Sequence, residues 1–509
     1  MPGTRNPDVS LHVYDTQTAQ TLHLEVPPDL SQEIITTVAW ATSNVVSAIW
    51  MNRVQNEAYI MAYDATSAAT ASNYQIIKHL RQEGGWLDPF SSPIFSNDGT
   101  QLLLILSQSQ GNEAGSYRHI ARLNRVQDSP VIALTSGKFV VTEILGWKDT
   151  TIYYLANTED DPAVQHLYSL STDDGTRTCL SCDIETDLKK DKCLYNSAKF
   201  STDYSYYAFN CAGPGFPEIS LFSTDHEKLM VWEDNQDLID TIGNNSLPSI
   251  VRLEFNVTDN FQALVLLKLP PNIDLSGNTK YPMVVNVYGG PDSYQVLEKF
   301  SVDWGSYLAV NKSIIYATID GRGSGLKGDK ILFSGYRNLG TVEIEDQISV
   351  TKQIQQSVAY VDETRTAIWG WSYGGYAAGL ALATDKENVF KCGMSVAPVT
   401  DWTLYDSIYT ERFMGLPTGD DNIEGYENAK LLNKYEGIRD KQYFLIHGTF
   451  DDNVHYQQSM LWSKVLEHQD IMFRQQSYPD EDHGLGSVRP HLYHSLENFL
   501  DECFIENVV

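Results

Sequence analysis

Gly370-Trp371-Ser372-Tyr373-Gly374 decides how this chain is read. It fits the pattern G-x-S-x-G. Before it, Thr366-Ala367-Ile368-Trp369 is apolar and partly β-branched, which predicts a buried strand. After it, Gly375 to Ala383 is small and rich in Ala and Leu, which predicts a helix. A strand, a sharp turn and a helix in that order form an elbow that lifts the Ser to the top of a sheet with its Oγ exposed. The pentapeptide also occurs by chance, so its weight rests on partners further along the chain.

A serine nucleophile needs a His base, and the His needs an acid to fix its tautomer. Tyr443-Phe444-Leu445-Ile446 reads as a strand and runs into His447-Gly448-Thr449-Phe450-Asp451-Asp452-Asn453. That puts a carboxylate at the C-terminal end of a strand, where open α/β sheets keep their sites. Phe473 to Tyr478 reads as another strand and leads to Pro479-Asp480-Glu481-Asp482-His483-Gly484. The order Ser, acid, His is that of α/β-hydrolases. It assigns Ser372 as nucleophile and His483 as base, with Ser372 Oγ expected within hydrogen-bonding reach of His483 Nε2. Asp451 and its neighbour Asp452 compete as the acid. His447 and His455, beside these two carboxylates, have no recognised ligand spacing, so no metal is expected there.

The N-terminal half has another texture. Val38-Ala39-Trp40, Pro93-Ile94-Phe95, Leu145-Gly146-Trp147 and Ala198-Lys199-Phe200 each open a unit, and their aromatics recur every 50 to 55 residues or so. Each unit continues through alternating strands such as Thr151 to Leu155 and His166 to Leu170. Four antiparallel strands per such period predict blades of a β-propeller, about four of them. After Leu247 strands alternate with helical periodicity, at Ile344, Ile348, Ile354 and Val358 and again at Leu492, Leu496, Phe499 and Leu500. That predicts a mostly parallel sheet covered by helices. Asp320 to Gly325 (DGRGSG) lacks the Lys-Ser/Thr ending of a phosphate loop and reads as a tight turn after the strand Ser313 to Ile319. The expected fold is a partial β-propeller over residues 1–246 followed by an α/β-hydrolase domain over 247–509.

A chain of 509 residues exceeds one ordinary core. A net charge of -30 argues against nucleic acid, whose phosphates need a basic footprint. No run of 18 apolar residues and no signal-peptide core are visible. Six cysteines, Cys179, Cys182, Cys193, Cys211, Cys392 and Cys503, are compatible with three disulfides in an oxidising compartment. The Cys179-x-x-Cys182 pair followed by Cys193 could open a zinc knuckle, but no second pair or ligand His follows it at suitable spacing. Sequons at Asn244, Asn256 and Asn311 agree with glycosylation and secretion.

Taken together, GWSYGGY at Gly370 to Tyr376, DGRGSG at Asp320 to Gly325, YGGP at Tyr288 to Pro291, YDSIYTERFMGLP at Tyr405 to Pro417, HGTFDDNVH at His447 to His455 and DEDHG at Asp480 to Gly484 resemble the dipeptidyl peptidase IV and fibroblast activation protein branch of the prolyl oligopeptidase family. The resemblance covers essentially the whole chain. It implies Asp451 rather than Asp452 as the acid. It implies Tyr288 and the Tyr373 N–H as oxyanion donors. It implies Tyr373, Val399, Trp402, Tyr405, Tyr409 and Val454 as an aromatic pocket for proline, with Arg412 and Asn453 as polar contacts near the substrate backbone. It pairs Cys179 with Cys182, Cys193 with Cys211, and Cys392 with Cys503.

The implied activity is a serine exopeptidase that releases N-terminal X-Pro or X-Ala dipeptides without a cofactor. The enzyme would be extracellular, secreted or on the cell surface, and a homodimer in its full-length form. A prolyl endopeptidase or acylaminoacyl-peptidase, and an inactive member acting as a binding protein, are the alternatives. The intact Ser, Asp and His count against the last. Relatives carry eight blades, an acidic pair that grips the substrate's α-amino group, and an N-terminal anchor. This sequence contains no Glu-Glu dipeptide. A half propeller would leave edge strands and apolar faces exposed, so Met1 is expected to be an artefact of an incomplete sequence.

Overall fold

The alternating runs of the N-terminal half form antiparallel units that stack face to face. The computed structural model describes residues 1–66, 74–243, 245–258 and 261–505. Strands Ile34–Thr42, Val45–Met51, Glu57–Asp64 and Tyr74–Arg81 make one four-stranded sheet. Ile94–Phe95, Gln101–Ser109, Ser116–Asn124 and Ile132–Ala133 make a second. An eight-stranded sheet holds two further runs of four, Val141–Lys148 to Arg177–Cys179 and Cys193–Phe200 to Lys228–Glu233. A single parallel pairing, Gln165 with Tyr195, joins them. Trp40, Phe95, Trp147 and Phe200 each lie on the first strand of their run, which is why the repeat is visible in the sequence.

Side chains alternate across a strand, so a middle strand buried on both faces reads as continuously apolar. Val45–Met51 does this. Ile49 and Met51 pack with Leu102, Leu104 and Ala121 of the second unit. Val46, Ala48 and Trp50 pack on the other face against Leu11, Val13, Leu22 and Leu24 of a two-stranded hairpin, Leu11–Asp15 with Gln20–Leu24. The same stacking joins the second unit to the third through Leu103, Ile120, Ile152 and Tyr154. It joins the third to the fourth through Leu155, Leu167, Phe209 and Phe222. At the outer limits of the stack, Val38 and Trp40 at one end and Leu229, Met230 and Trp232 at the other are exposed.

The C-terminal sheet has eight strands, labelled here in chain order: β1 Ser249–Asn256, β2 Gln262–Leu269, β3 Tyr281–Asn286, β4 Ile315–Asp320, β5 Val361–Trp371, β6 Cys392–Val396, β7 Gln442–Gly448 and β8 Arg474–Tyr478. Their spatial order is β1-β2-β4-β3-β5-β6-β7-β8. The β1–β2 and β2–β4 pairs are antiparallel and the rest are parallel. Central strands such as β6 are buried throughout, as a sheet covered on both faces requires. β4 starts at Ile315 rather than Ser313, because Ser313 is the left-handed cap of helix Trp304–Lys312. Helices Val342–Ser357 and Arg489–Phe504 match the periodic runs. Helix Gln236–Gly243, just before β1, left no clear signal in the sequence.

Backbone bonds Glu298 N to Ala163 O (3.0 Å) and Phe300 N to Ala212 O (2.9 Å) tie the two halves. So do ion pairs of Arg252 with Asp161 (2.6 Å) and of Arg53 with Glu411 (2.5 Å). Three disulfides are present. Cys179–Cys182 and Cys193–Cys211 lie in the N-terminal sheets, and Cys392–Cys503 ties β6 to the last helix. Asn256 and Asn311 are exposed, whereas Asn244 lies outside the described residues. Among the described residues no helix is long and apolar enough to cross a membrane.

Candidate active site

Ser372 sits between β5 and helix Tyr373–Thr384 with φ 63° and ψ -120°, a left-handed backbone that costs a non-glycine residue energy. The elbow is held by close backbone approaches. A Cβ on Gly374 would lie 2.2 Å from Val287 O, and one on Gly370 would lie 2.3 Å from Gly374 O. Ser372 N donates to Val396 O at 2.9 Å, pinning the turn to the end of β6. The N–H of Tyr373, the first residue of the helix, has no partner within it and points where a helix N-terminus favours negative charge.

Asp451 follows β7 and is buried, whereas Asp452 is exposed. Its Oδ1 accepts from the N–H groups of Asn453 (3.0 Å) and Val454 (2.9 Å). Its Oδ2 meets His483 Nδ1 at 2.6 Å and His447 Nε2 at 3.0 Å. Burial works against the Asp451 charge, but the hydrogen bonds from His447 and His483 outweigh it and hold the carboxyl well below its usual range. His483 lies in the loop after β8, and its carbonyl accepts from Trp371 Nε1 at 3.0 Å, so this loop is tied to the residue preceding Ser372. Among the described residues no hydrogen bond joins Ser372 Oγ to His483. Such bonds are often long in unliganded sites and tighten when substrate arrives.

His447 is the residue that sequence reasoning missed. Nδ1 is 2.7 Å from Ser459 Oγ and Nε2 is 2.8 Å from Val454 O as well as 3.0 Å from Asp451. With two acceptors at Nε2, that nitrogen carries the proton and Nδ1 accepts from the hydroxyl. Glu343 was missed too. It is buried, accepts from Tyr373 OH at 2.8 Å and from Gly340 N at 2.5 Å, and has its carboxyl pushed up by burial.

Tyr288 follows β3, with its ring 6.2 Å from that of Tyr373. Burial raises its phenol, so it is a neutral donor at pH 7. The aromatics gather into one cluster. Trp402 lies 5.3 Å from Tyr373, 5.9 Å from Tyr405 and 6.1 Å from Tyr409, ring centre to ring centre. Val399 and Val454 are buried. Tyr405 OH donates to Asn453 Oδ1 at 2.8 Å. Arg412 Nε donates to Gln55 Oε1 at 2.8 Å, so a loop of the N-terminal half orients it.

Comparison with known proteins gives the family. Residues 300–507 match the prolyl oligopeptidase family, and residues 1–218 match the dipeptidyl peptidase IV N-terminal region. The chain belongs to the prolyl oligopeptidase family. It is 42% identical to venom dipeptidyl peptidase 4 of Apis mellifera, over 98% of this chain and 64% of that protein. It is 38% identical to dipeptidyl peptidase 4 of Sus scrofa and 37% identical to prolyl endopeptidase FAP of Homo sapiens, each over 99% of this chain and 66% of the relative. The crystal structure of Porphyromonas gingivalis dipeptidyl peptidase 4 superposes with a TM-score of 0.87 at 28% identity, covering 98% of this chain and 68% of that one. The chain thus spans 64% of the length of the venom relative.

Proposed function

We propose that this prolyl oligopeptidase family chain carries the catalytic half of a serine exopeptidase that releases N-terminal X-Pro or X-Ala dipeptides. The observation that carries the reading is the hydrogen bond of 2.6 Å between His483 Nδ1 and the buried Asp451 carboxylate, in a loop tied to the Ser372 elbow. His483 Nε2 takes the Ser372 proton as Oγ attacks the carbonyl after proline. Asp451 stabilises the imidazolium, and Tyr288 OH with the Tyr373 N–H receives the oxyanion. His483 then protonates the leaving amine, and water clears the acyl-enzyme. Tyr373, Trp402, Tyr405 and Tyr409, with Val399 and Val454, would hold a pyrrolidine ring, which has no N–H to satisfy. Arg412 and Asn453 would meet the substrate backbone.

On this reading residues 1–246 are the C-terminal half of a propeller, with about four blades, and 247–509 are the hydrolase domain. The three disulfides and the sequons support an extracellular placement. A homodimer is proposed for the full-length form. A prolyl endopeptidase is the second reading, favoured by the likeness to the relative named prolyl endopeptidase FAP. The test compares this chain and an upstream-extended form on Gly-Pro-anilide and its N-blocked analogue. The extended form should cleave only the free-amine substrate, and the 509-residue form should cleave it poorly. Cleavage of both substrates alike favours the endopeptidase. Strong, N-terminus-selective activity from the shorter form would refute the placing of the amine anchor outside this chain.

A further inference from the structure

His166, Cys179 and Cys182 converge on the outer edge of the third N-terminal unit. The strands Gln165–Ser171 and Arg177–Cys179 pair antiparallel, with Tyr168 opposite Cys179. Leu180 N continues the pairing onto Leu167 O at 2.8 Å. The chain then turns so that Ser181 Oγ accepts from Leu167 N at 3.0 Å and lies 2.9 Å from His166 Nδ1. One ligand atom from each of His166, Cys179 and Cys182 lies within 4.8 Å of the others. In this structure the two sulfurs form a disulfide.

Three features single this bridge out. Cys182 is exposed and Cys179 partly so, whereas the cysteines of the other two bridges are between 0% and 3% exposed. A reductant therefore reaches this bridge first. It closes a loop between residues only 3 apart, so opening it releases little chain entropy compared with the bridge spanning 111 residues. The third feature is the histidine. His166 is 5% exposed, and its Nδ1 faces the Ser181 hydroxyl. Asn196 Nδ2 also lies 3.2 Å from Nδ1, but its hydrogens are directed to Gln165 O (3.0 Å) and Cys193 O (2.8 Å). Nδ1–H donating to Ser181 Oγ leaves the lone pair on Nε2, and an outer hydrogen bond of this kind is what orients metal-ligating histidines.

We infer that reduction of Cys179–Cys182 converts this corner into a thiophilic cation site, with Cys179 Sγ, Cys182 Sγ and His166 Nε2 as ligands of Zn²⁺ or a similar soft divalent ion. A dithiol supplies the two electrons: the protein disulfide and the dithiol exchange to give two protein thiols and the oxidised reductant. Binding of Zn²⁺ then displaces the two thiol protons, giving a site with two thiolates and one imidazole. Water completes the tetrahedron on the exposed side of Cys182. The sequence hid the site because the histidine lies 13 residues before the first cysteine, on the opposite strand of a hairpin, rather than after it.

The test uses the whole chain and Zn²⁺ alone as probe. Protein is treated with a mild dithiol, the dithiol is removed under nitrogen, and bound Zn²⁺ is measured by competition with a chromophoric chelator. Alkylation and peptide mapping report which thiols opened. The expected result is one Zn²⁺ per reduced chain and none per oxidised chain, with only Cys179 and Cys182 alkylated in the metal-free reduced protein. His166→Asn, which keeps a polar side chain in the pocket, should weaken binding at least about tenfold, and Cys182→Ser should abolish it. Circular dichroism checks that both variants stay folded. Absence of Zn²⁺ binding after clean reduction overturns the inference. So does equal affinity in a folded His166→Asn variant, or opening of Cys193–Cys211 before Cys179–Cys182.

Discussion

Replacing His447 by Phe keeps an aromatic ring in a buried space but removes one of the two donors on Asp451 Oδ2, the 3.0 Å bond. The other donor, His483 Nδ1 at 2.6 Å, and the two N–H groups on Oδ1 stay in place. A hydrogen bond to a charged acceptor is worth about 1.5–3 kcal/mol. If it acts chiefly by holding the carboxylate toward His483, the cost in rate is roughly 10- to 100-fold at 1.4 kcal/mol per decade. That is far less than the ~10⁴-fold expected for Asp451→Asn, which removes the proposed acid itself.

The assay is the rate at which a fluorophosphonate labels Ser372, because it reads the proposed nucleophile and base without a peptide substrate. The pH dependence should move as well. The folded-state pKa of Asp451 is depressed, so its contribution to stability is present above the unfolded value and is lost as pH falls through the folded one. Without His447 the folded pKa rises, and acid unfolding should begin at higher pH. A labelling rate and an acid-unfolding midpoint unchanged from the parent chain would refute the positioning role of His447. A loss as large as that of Asp451→Asn would show that it does more than position.

Gly374→Ala should abolish labelling while leaving the N-terminal sheets folded, since its Cβ would lie 2.2 Å from Val287 O and 3.1 Å from the Tyr288 Cα; labelling and circular dichroism check this. Removing Cys392–Cys503 by paired Ser substitutions should cost about 5 kcal/mol by loop-closure entropy, against about 3 kcal/mol for Cys193–Cys211, because the loops span 111 and 18 residues; denaturant melts of the two variants give the comparison. Asp329 is buried, which pushes its carboxyl up to about 6 despite Ser107 and the nearby Arg118. Its ionised form therefore opposes folding, so Asp329→Asn should add up to about 3 kcal/mol at pH 8 and almost nothing at pH 4, as melts at the two pH values would show.

Whatever local pattern dictates was legible in the sequence. The elbow declares itself through glycines that no other residue can replace against Val287 O. The four stacked units declare themselves because Trp40, Phe95, Trp147 and Phe200 recur on the first strand of each. Contacts made by chain reversal were not legible. His447 looked like a loop-edge histidine beside two carboxylates, and only the turn through Asp451 and Val454 brings Nε2 back onto the acid. Glu343 lies in the first turn of helix Val342–Ser357, and nothing in its local sequence shows that it is buried against Tyr373, 30 residues away. The bond from Arg412 to Gln55 joins residues 357 apart, across the two halves of the chain. Distances of that kind come from packing, which periodicity does not encode.

The most direct measurement is peptide mapping of the adduct after fluorophosphonate treatment of the folded chain. One adduct is expected, on Ser372, absent in Ser372→Ala and formed at least ~10³-fold more slowly in His483→Ala. An adduct on another residue, or labelling of Ser372 at an undiminished rate in His483→Ala, would contradict it.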